Sequence, residues 1–493
     1  MALPDSADQP RSSPWRDRWP GIVSALLLTL AFPPFNLRPL VFLAFVPWLI
    51  ALRGQTARGA VRSGYTFGLV FMLAQLQWLQ VLTHRWTHSL ALSLIPWLGA
   101  ALVTALFFAL AGCLMRLCWV AGRPWLIPLV WAGVEVLRSY APGIGFPWGL
   151  TALPLTPYPA IIQPAALGTV FLISAWVLLV NVIAARLVAR ESVARLWPAA
   201  LIAVAMPLLS ALWYARPIEG LPVLVAVGQP GLDLAFGEPV MTAVQAQASV
   251  LALSDEARQS GAAFLLLPEG MAASSDGEPP VGVPIGRVPV VFGARRGSRP
   301  AHQSVFAYDG HWSYADKTRL VIFGEYVPGR GVLPLLDSFN LPNDDLIPGS
   351  EIRTLDVAGI RLGPMICFEA LFPDIAYRQA RNGSQLLAVL SQDDWYFGTS
   401  APEQLRDCTI WRSIETGLPL IRSASLGYSI ACDGRGRLLA QAPLRARSCL
   451  AVEAVLPSGP QTFPFLPAFP WIAVASCLVV PVFARRRPGA TQA

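Results

Sequence analysis

Charge is what this sequence has least of. Only 14% of its 493 residues are Asp, Glu, Lys or Arg, whereas soluble chains carry roughly 25%. Hydrophobic residues make up 54%, and mean hydropathy is +0.50. That balance excludes an ordinary soluble protein. Lysine is nearly absent: of 37 basic residues, thirty-six are arginine and one is Lys317. The arginines are scattered, many at the ends of apolar runs, so they form no nucleic-acid patch. Histidine is scarce too, with His84, His88, His302 and His311 far apart in the chain. The seven cysteines show neither C-x-x-C nor Cys/His spacing, so neither a metal site nor another cofactor is expected. Cys113, Cys118 and Cys477 lie in apolar runs and read as small buried hydrophobes. No cleavable signal peptide is apparent, because the first apolar run leads straight into further spans.

What is present falls into three regions. Residues 1–214 hold seven candidate spans, roughly 21–35, 40–52, 63–83, 89–115, 117–137, 159–185 and 196–214. An eighth, at 465–484, precedes a basic tail ending at 493. The first two are short and interrupted by proline. Arginine clusters set the orientation. Arg11, Arg16 and Arg18 precede the first span, and Arg53, Arg58 and Arg62 follow the second. Arg116 and Arg123 flank the fourth junction, Arg186, Arg190 and Arg195 follow the sixth, and Arg485, Arg486 and Arg487 follow the last. Intervening loops hold only Arg38, Arg85 and Arg138. The positive-inside pattern then puts both termini in the cytoplasm and residues 215–464 outside, which in a bacterium is the periplasm.

Residues 215–464 change character. Short apolar runs at Val223–Gln229, Phe264–Pro268, Val288–Ala294, Ile360–Cys367 and Leu386–Ser391 have strand length and are bounded by Gly, Pro or polar clusters. Helix-like stretches at 238–259, 372–382 and 400–416 alternate with them, which argues for a layered α/β unit.

Three residues in this unit could carry chemistry. Cys367 ends a strand-like run ahead of a helix-like one, and a helix N-terminus lowers a thiol pKa. A buried core role is nonetheless the commoner fate of a cysteine. Glu269 ends the run 264–268, where partial desolvation would suit a general base, although a turn acid on the surface is the plainer reading. Lys317 is the single lysine among arginines. A compact ammonium approaches a developing oxyanion where a planar guanidinium does not fit, but composition alone could leave one lysine by accident.

Order and surroundings add what no single residue supplies. Leu267–Pro268–Glu269, then Lys317 followed by Phe323–Gly324–Glu325–Tyr326–Val327–Pro328, then Cys367–Phe368–Glu369 resembles the carbon–nitrogen hydrolase (nitrilase) superfamily. With the membrane spans, the F-G-E-Y-V-P segment is similar to that superfamily's membrane branch, the bacterial apolipoprotein N-acyltransferases. Trp131, Glu135 and Arg138, Gly145–Phe146–Pro147–Trp148, Val225–Ala226–Val227 with Gln229, Asp393 with Trp395, Arg412 through Gly417, and Arg422 extend the likeness over nearly the whole chain. Departures occur at Phe368, where tyrosine is frequent, at Gln392, where asparagine is usual, and at Ser425–Leu426–Gly427. The stretch Trp395–Gly398 carries one extra residue, and Phe236 stands near a position usually held by tryptophan.

The resemblance implies an α-β-β-α sandwich beside a bundle of about eight spans, in the bacterial inner membrane with the α/β unit in the periplasm. It implies acyl transfer from a phospholipid, typically phosphatidylethanolamine, to diacylglyceryl apolipoproteins, by a monomer. By analogy Glu269 is the base, Lys317 the oxyanion partner and Cys367 the nucleophile. Glu325 and Glu369 are supporting carboxylates, and Phe368, Trp395, Tyr326 and Trp148 line or support the substrate path. Trp86, Trp148, Trp213 and Tyr214 fit interfacial positions, and Gly145–Trp148 is placed at the entrance. Cys432 and Cys449 flank a hairpin-like stretch and could pair in an oxidising compartment. Two other readings stay open: a membrane-tethered amidase, and a transporter or scaffold whose outer unit binds lipid or protein. Apart from Glu135 and a few flanking arginines, the spans lack the ionisable residues of a coupled transport pathway.

Overall fold

A computed structural model of the chain describes residues 14–236, 239–275, 287–298, 301–328, 345–459, 462–463 and 466–485. Arg11, Arg486 and Arg487, invoked above for orientation, lie outside the described residues. Eight helices precede the first strand: α1 (Pro14–Ala31), α2 (Val46–Leu52), α3 (Ala57–Gln75), α4 (Gln77–Thr87), α5 (Leu90–Val120), α6 (Ile127–Tyr140), α7 (Ala165–Val188) and α8 (Val193–Tyr214). Local chemistry starts several of them. Thr56 Oγ1 accepts from the Gly59 N–H at 3.0 Å to open α3, and Ser89 does the same for Leu92 at the start of α5. At the other end of the chain α12 (Ala468–Arg485) packs on α6 and α7.

The expected eight spans are not met by length and composition. Among the described residues four helices are long and apolar enough to cross a bilayer: α5, α7, α8 and α12. A fifth arises if α3 and α4, bent by 52° at their junction, count as one broken span. Hydropathy windows could not see where the backbone stops. The span read at 117–137 is divided, because α5 runs on to Val120 and α6 begins only at Ile127. The segment 38–52 breaks into a 3₁₀ turn and the seven-residue α2. There the buried Arg38 faces Glu403 and Asp407 across 3.3 and 3.2 Å, so this stretch packs against the α/β unit.

The α/β unit is built on two sheets. Its elements are β1 (Gly220–Gln229), α9 (Pro239–Ser260), β2 (Leu265–Leu266), β3 (Ala272–Ser275), β4 (Val290–Arg296), β5 (His302–Tyr308), β6 (Trp312–Asp316), β7 (Leu355–Val357) and β8 (Ile360–Ile366). They continue with α10 (Pro373–Arg381), β9 (Leu386–Ser391), α11 (Ala401–Thr416), β10 (Leu420–Ala424), β11 (Ile430–Cys432), β12 (Leu438–Gln441) and β13 (Ser448–Pro457). One sheet runs β13-β1-β2-β4-β5-β6 with β3 also on β4, and the other runs β12-β11-β10-β9-β8-β7. β1, β2 and β4 are mutually parallel, as are β8, β9 and β10.

Period-2 alternation decides the layering. On β1, Val225 and Val227 enter the core between the sheets, while Ala226 turns to the layer under α9. On β9, Leu386, Ala388 and Leu390 face the inter-sheet core, and Leu387 and Val389 face outward to the cluster that includes Ile375 of α10 and Trp411 of α11. Every position of β9 is buried, as expected of a parallel strand covered on both faces. The result is an α-β-β-α sandwich.

The cluster beyond the second sheet continues without interruption into the membrane helices. α11 is the shared element, and its polar residues find partners across the junction. Trp411 Nε1 donates to Thr156 Oγ1 at 2.7 Å. Glu415 Oε1 accepts from the Val170 N–H at 2.8 Å, where Gly168 and Thr169 break the helical course of α7. The sequence leaves a Cys432–Cys449 pairing open, and in the structure all seven cysteines are free. Cys432 faces α11, with Sγ 3.4 Å from Ser413 Oγ, whereas Cys449 packs under α9 on the far side of the sandwich.

Candidate active site

The chemistry-bearing residues all leave the carboxyl ends of strands running in the same sense within their sheets. Glu269 follows β2, Lys317 follows β6, Cys367 follows β8, and Gln392 with Asp393 follows β9. Ligand sites of open α/β sheets form at such ends, because the strands diverge there into loops. Cys367 has φ +50°, the left-handed region, so the chain turns sharply from strand to a short 3₁₀ helix at the cysteine. Gly293 of β4 matters for Glu269: a Cβ there would lie 2.7 Å from the Glu269 Cα.

Lys317 is 1% exposed, and its Nζ donates to Glu325 Oε1 at 2.6 Å. The other oxygen of Glu325 accepts from the Val321 N–H at 2.7 Å, which fixes the carboxylate. Burial opposes the lysine's charge, but the negative charges of Glu325 and Glu269, with the hydrogen bond to Glu325, outweigh it and hold the ammonium protonated. Glu369 ties the lysine segment to the cysteine segment. Its Oε1 accepts from the Thr318 N–H and hydroxyl, both at 2.8 Å, and from the Arg319 N–H at 3.2 Å. Its Oε2 accepts from the Ile366 N–H at 2.9 Å. The residue after Lys317 and the residue before Cys367 thus share one carboxylate.

Burial pushes Glu269 up to about 7; the charge of Lys317 works against that rise and the charge of Glu325 adds to it. The backbone N–H of Gln392 supports the carboxylate. Burial and the Glu269 charge push Cys367 up to about 12, against Lys317 and a hydrogen bond with Ser391. The lowered thiol expected from a helix N-terminus is therefore overturned. The helix that opens at Cys367 is a five-residue 3₁₀ segment, and desolvation beside an anion outweighs its dipole. The resting pair is a thiol beside a base that titrates near neutrality.

Further polar residues behind the β9 end brace this centre. Arg422 Nη2 meets both oxygens of Asp393 at 2.7 and 2.8 Å, and Ser391 donates to Asp393 Oδ1 at 2.7 Å. Gly427 has no side chain because Asp393 occupies that space. Asp394, raised to about 6 by burial, accepts from Ser425, Gln392 and the Ala235 N–H.

Aromatic residues close the apolar side. Phe368 stacks on Phe146 at 5.4 Å and meets Phe372 edge-on at 5.2 Å. Arg138 donates to the carbonyls of Trp148 (2.6 Å) and Phe146 (3.1 Å), which holds that loop against the nucleophile segment. Trp148 itself is 2% exposed and donates to the Gln75 carbonyl, so it belongs to the bundle core and not to an interface or an entrance. Trp395 is set apart, edge-on to Trp86 and Phe236, with Arg85 over the Phe236 ring at 3.8 Å. The Tyr326 carbonyl accepts from the Phe323 N–H at 2.7 Å. Tyr396 was missed in the sequence. It is buried, packs on Trp78, and feels the charges of Cys367, Asp393, Glu269 and Glu325. Its neighbour Trp395 drew attention by resemblance, and nothing in the local pattern distinguished the tyrosine. Among the described residues no group of His, Cys, Asp and Glu could hold a metal ion.

The chain is similar to several known proteins. Residues 24–183 match the family model of the apolipoprotein N-acyltransferase N-terminal domain, and residues 302–458 match that of carbon–nitrogen hydrolases. An apolipoprotein N-acyltransferase of Geobacter metallireducens is 29% identical, covering 99% of this chain and 98% of its own length. One from Pseudomonas syringae pv. tomato is 30% identical, covering 94% and 96%. Among solved structures, an amidase from Nesterenkonia sp. is 18% identical with a TM-score of 0.34, covering 50% of this chain and 94% of the amidase.

Proposed function

The chain belongs to the apolipoprotein N-acyltransferase family, and on that premise we propose how it acts. It is an acyltransferase of the carbon–nitrogen hydrolase superfamily that N-acylates lipoproteins. In our reading the acyl donor is a membrane phospholipid, phosphatidylethanolamine, and the acyl group passes through a thioester on Cys367. The acceptor is the α-amine of the diacylglyceryl-cysteine at a lipoprotein N-terminus. The observation that carries this reading is the buried Glu269–Lys317–Cys367 set in a unit whose core is continuous with the membrane helices.

In the first half-reaction Glu269 takes the proton of the Cys367 thiol as the sulfur attacks the ester carbonyl. Lys317 and the Phe368 N–H stabilise the oxyanion of the tetrahedral intermediate. A base near 7 facing a thiol near 12 does not deprotonate it at rest, so proton transfer is coupled to attack. The intermediate collapses, its C–O bond breaks, and Glu269 returns the proton to the departing lysophospholipid oxygen. In the second half-reaction the free amine attacks the thioester carbonyl. Glu269 accepts the amine proton, the C–S bond breaks, and the proton returns to sulfur. Apolar packing of Phe146 and Phe372 on Phe368, the residue after the nucleophile, supports exclusion of water, which would otherwise divert the thioester to free fatty acid.

The arrangement of arginines supports an inner-membrane protein with the α/β unit in the periplasm, where both lipid-anchored substrates lie. The test is to incubate purified protein with phosphatidylethanolamine and no acceptor, then weigh the Cys367 peptide. A fatty-acyl adduct that disappears in Cys367→Ala is expected. A folded protein without adduct would sink the transferase reading, and free fatty acid alone would favour a hydrolase.

A further inference from the structure

Among the membrane helices lies a cavity that the transfer reaction does not use. It has a volume of about 390 Å³, within the roughly 300–1,000 Å³ of small-molecule sites, and is enclosed by α6, α7, α8 and α12. Trp125, Trp176, Ala199, Ile202 and Met206 are among its apolar walls, and the only ion on its lining is Arg195. Ile202 both lines the cavity and is 58% exposed, so the space communicates with the lipid-facing surface of α8. Pro207 explains how α8 stands off and is still held. Proline leaves the Ala203 carbonyl without its helical donor, and Trp176 Nε1 supplies one at 3.0 Å.

Length identifies the occupant. Arg195 and Met206 are eleven residues apart on one helix, about 16 Å at 1.5 Å per residue. One leaflet of a bilayer contributes about 15 Å of the ~30 Å hydrocarbon core. The cavity therefore has the reach of one acyl chain, with a cation where the headgroup would sit. The cationic end is strongly basic. Arg195 makes no ion pair among the described residues, because Glu191 is already held by Arg186 at 2.6 Å and Arg53 at 3.3 Å, with the charge of Arg195 acting on it from farther away. Arg186 also lies 4.3 Å over Trp125, and its buried Nη1 has no hydrogen-bond partner. α8 leads at its other end into β1, so this mouth opens on the face away from the α/β unit, about 33 Å along the helix.

We propose that the cavity binds one anionic phospholipid of the leaflet opposite the reaction, with an acyl chain between α7 and α8 and its phosphate on Arg195. Such a lipid would hold its phosphate at the end of α8 remote from β1 and the α/β unit. It fastens the outlying α8 to the bundle.

The test uses the full chain in nanodiscs of phosphatidylcholine with a minor fraction of phosphatidylglycerol, followed by native mass spectrometry of released protein. The wild type should retain one phosphatidylglycerol per chain. Arg195→Gln should lower that retention roughly five-fold, the contribution of one arginine to an anionic headgroup, while the same variant given phosphatidylethanolamine in a separate incubation still forms the Cys367 acyl adduct. Ala199→Phe, which fills the cavity, should abolish retention of both lipids. Equal phosphatidylglycerol retention by the wild type and the folded Arg195→Gln variant overturns the proposal. Retention of phosphatidylcholine or detergent alone by the wild type overturns it as well.

Discussion

Replacing Glu369 by glutamine exchanges one carboxylate oxygen for an amide NH₂ at nearly constant volume, so its effect falls on the hydrogen bonds and the charge and not on packing. The carboxylate takes three donors on Oε1, from Thr318 and Arg319, and one on Oε2, from Ile366. A glutamine amide has one acceptor oxygen and one NH₂ group. With its oxygen placed toward Thr318, the NH₂ confronts the Ile366 N–H and leaves it buried without a partner. That costs about 1–3 kcal/mol. The reverse orientation strands the backbone N–H groups of both Thr318 and Arg319, and is worse. The melting midpoint should fall by roughly 2–4 °C for each kcal/mol lost. The kinetic effect should be larger than the thermal one. Thr318 adjoins Lys317 and Ile366 adjoins Cys367, so the lost tie lets the oxyanion partner and the nucleophile drift apart. A displacement of about 1 Å costs on the order of 10²-fold. The assay is the rate of acyl-adduct formation on the Cys367 peptide, read beside a thermal scan of the same preparation. An unchanged midpoint with an unchanged rate would refute the view that this carboxylate joins the two segments.

Three further outcomes follow from the same geometry. Because the base must be ionised and Glu269 sits at about 7, adduct formation should rise about tenfold per pH unit below that value and level off above it; a rapid-quench pH profile checks this, and a flat profile between pH 5 and 8 contradicts it. Lys317→Arg keeps the charge but forces a planar fork into a site 1% exposed, so we expect a loss of about 1–3 kcal/mol from overpacking and roughly 10²–10³-fold in rate, measured by thermal scan and adduct kinetics. Arg422→Gln leaves Asp393 buried without its ion partner and should cost about 3–5 kcal/mol in denaturant unfolding of the purified protein.

Much of the α/β unit was legible because strands leave short, bounded apolar runs. Runs such as Ile360–Cys367 and Leu386–Ser391 became β8 and β9 within a residue. The membrane region was less legible. Its breaks come from tertiary partners that hydropathy ignores, such as Arg38 reaching Asp407, or α7 broken beside Glu415. Order along the chain placed Glu269, Lys317 and Cys367 together, and the structure brings their charges into mutual reach. The raised thiol was not legible, since desolvation belongs to the folded interior and leaves no mark on local sequence. The bracing role of Glu369 also emerged only when segments fifty residues apart met on one carboxylate. Cys432 and Cys449 looked like a pair because sequence distance says nothing about which face of a sandwich each side chain takes.

The central claim is that one sulfur carries the acyl chain between two lipid-anchored substrates. It is tested most directly by loading Cys367 with a labelled acyl group from phosphatidylethanolamine, removing the donor, and adding a diacylglyceryl-cysteine peptide. The account predicts that label leaves the Cys367 peptide and appears in amide linkage on the acceptor's α-amine, at matching rates, and that an Nα-acetylated acceptor leaves it in place. Amide product formed while the label stays on Cys367 would contradict the account.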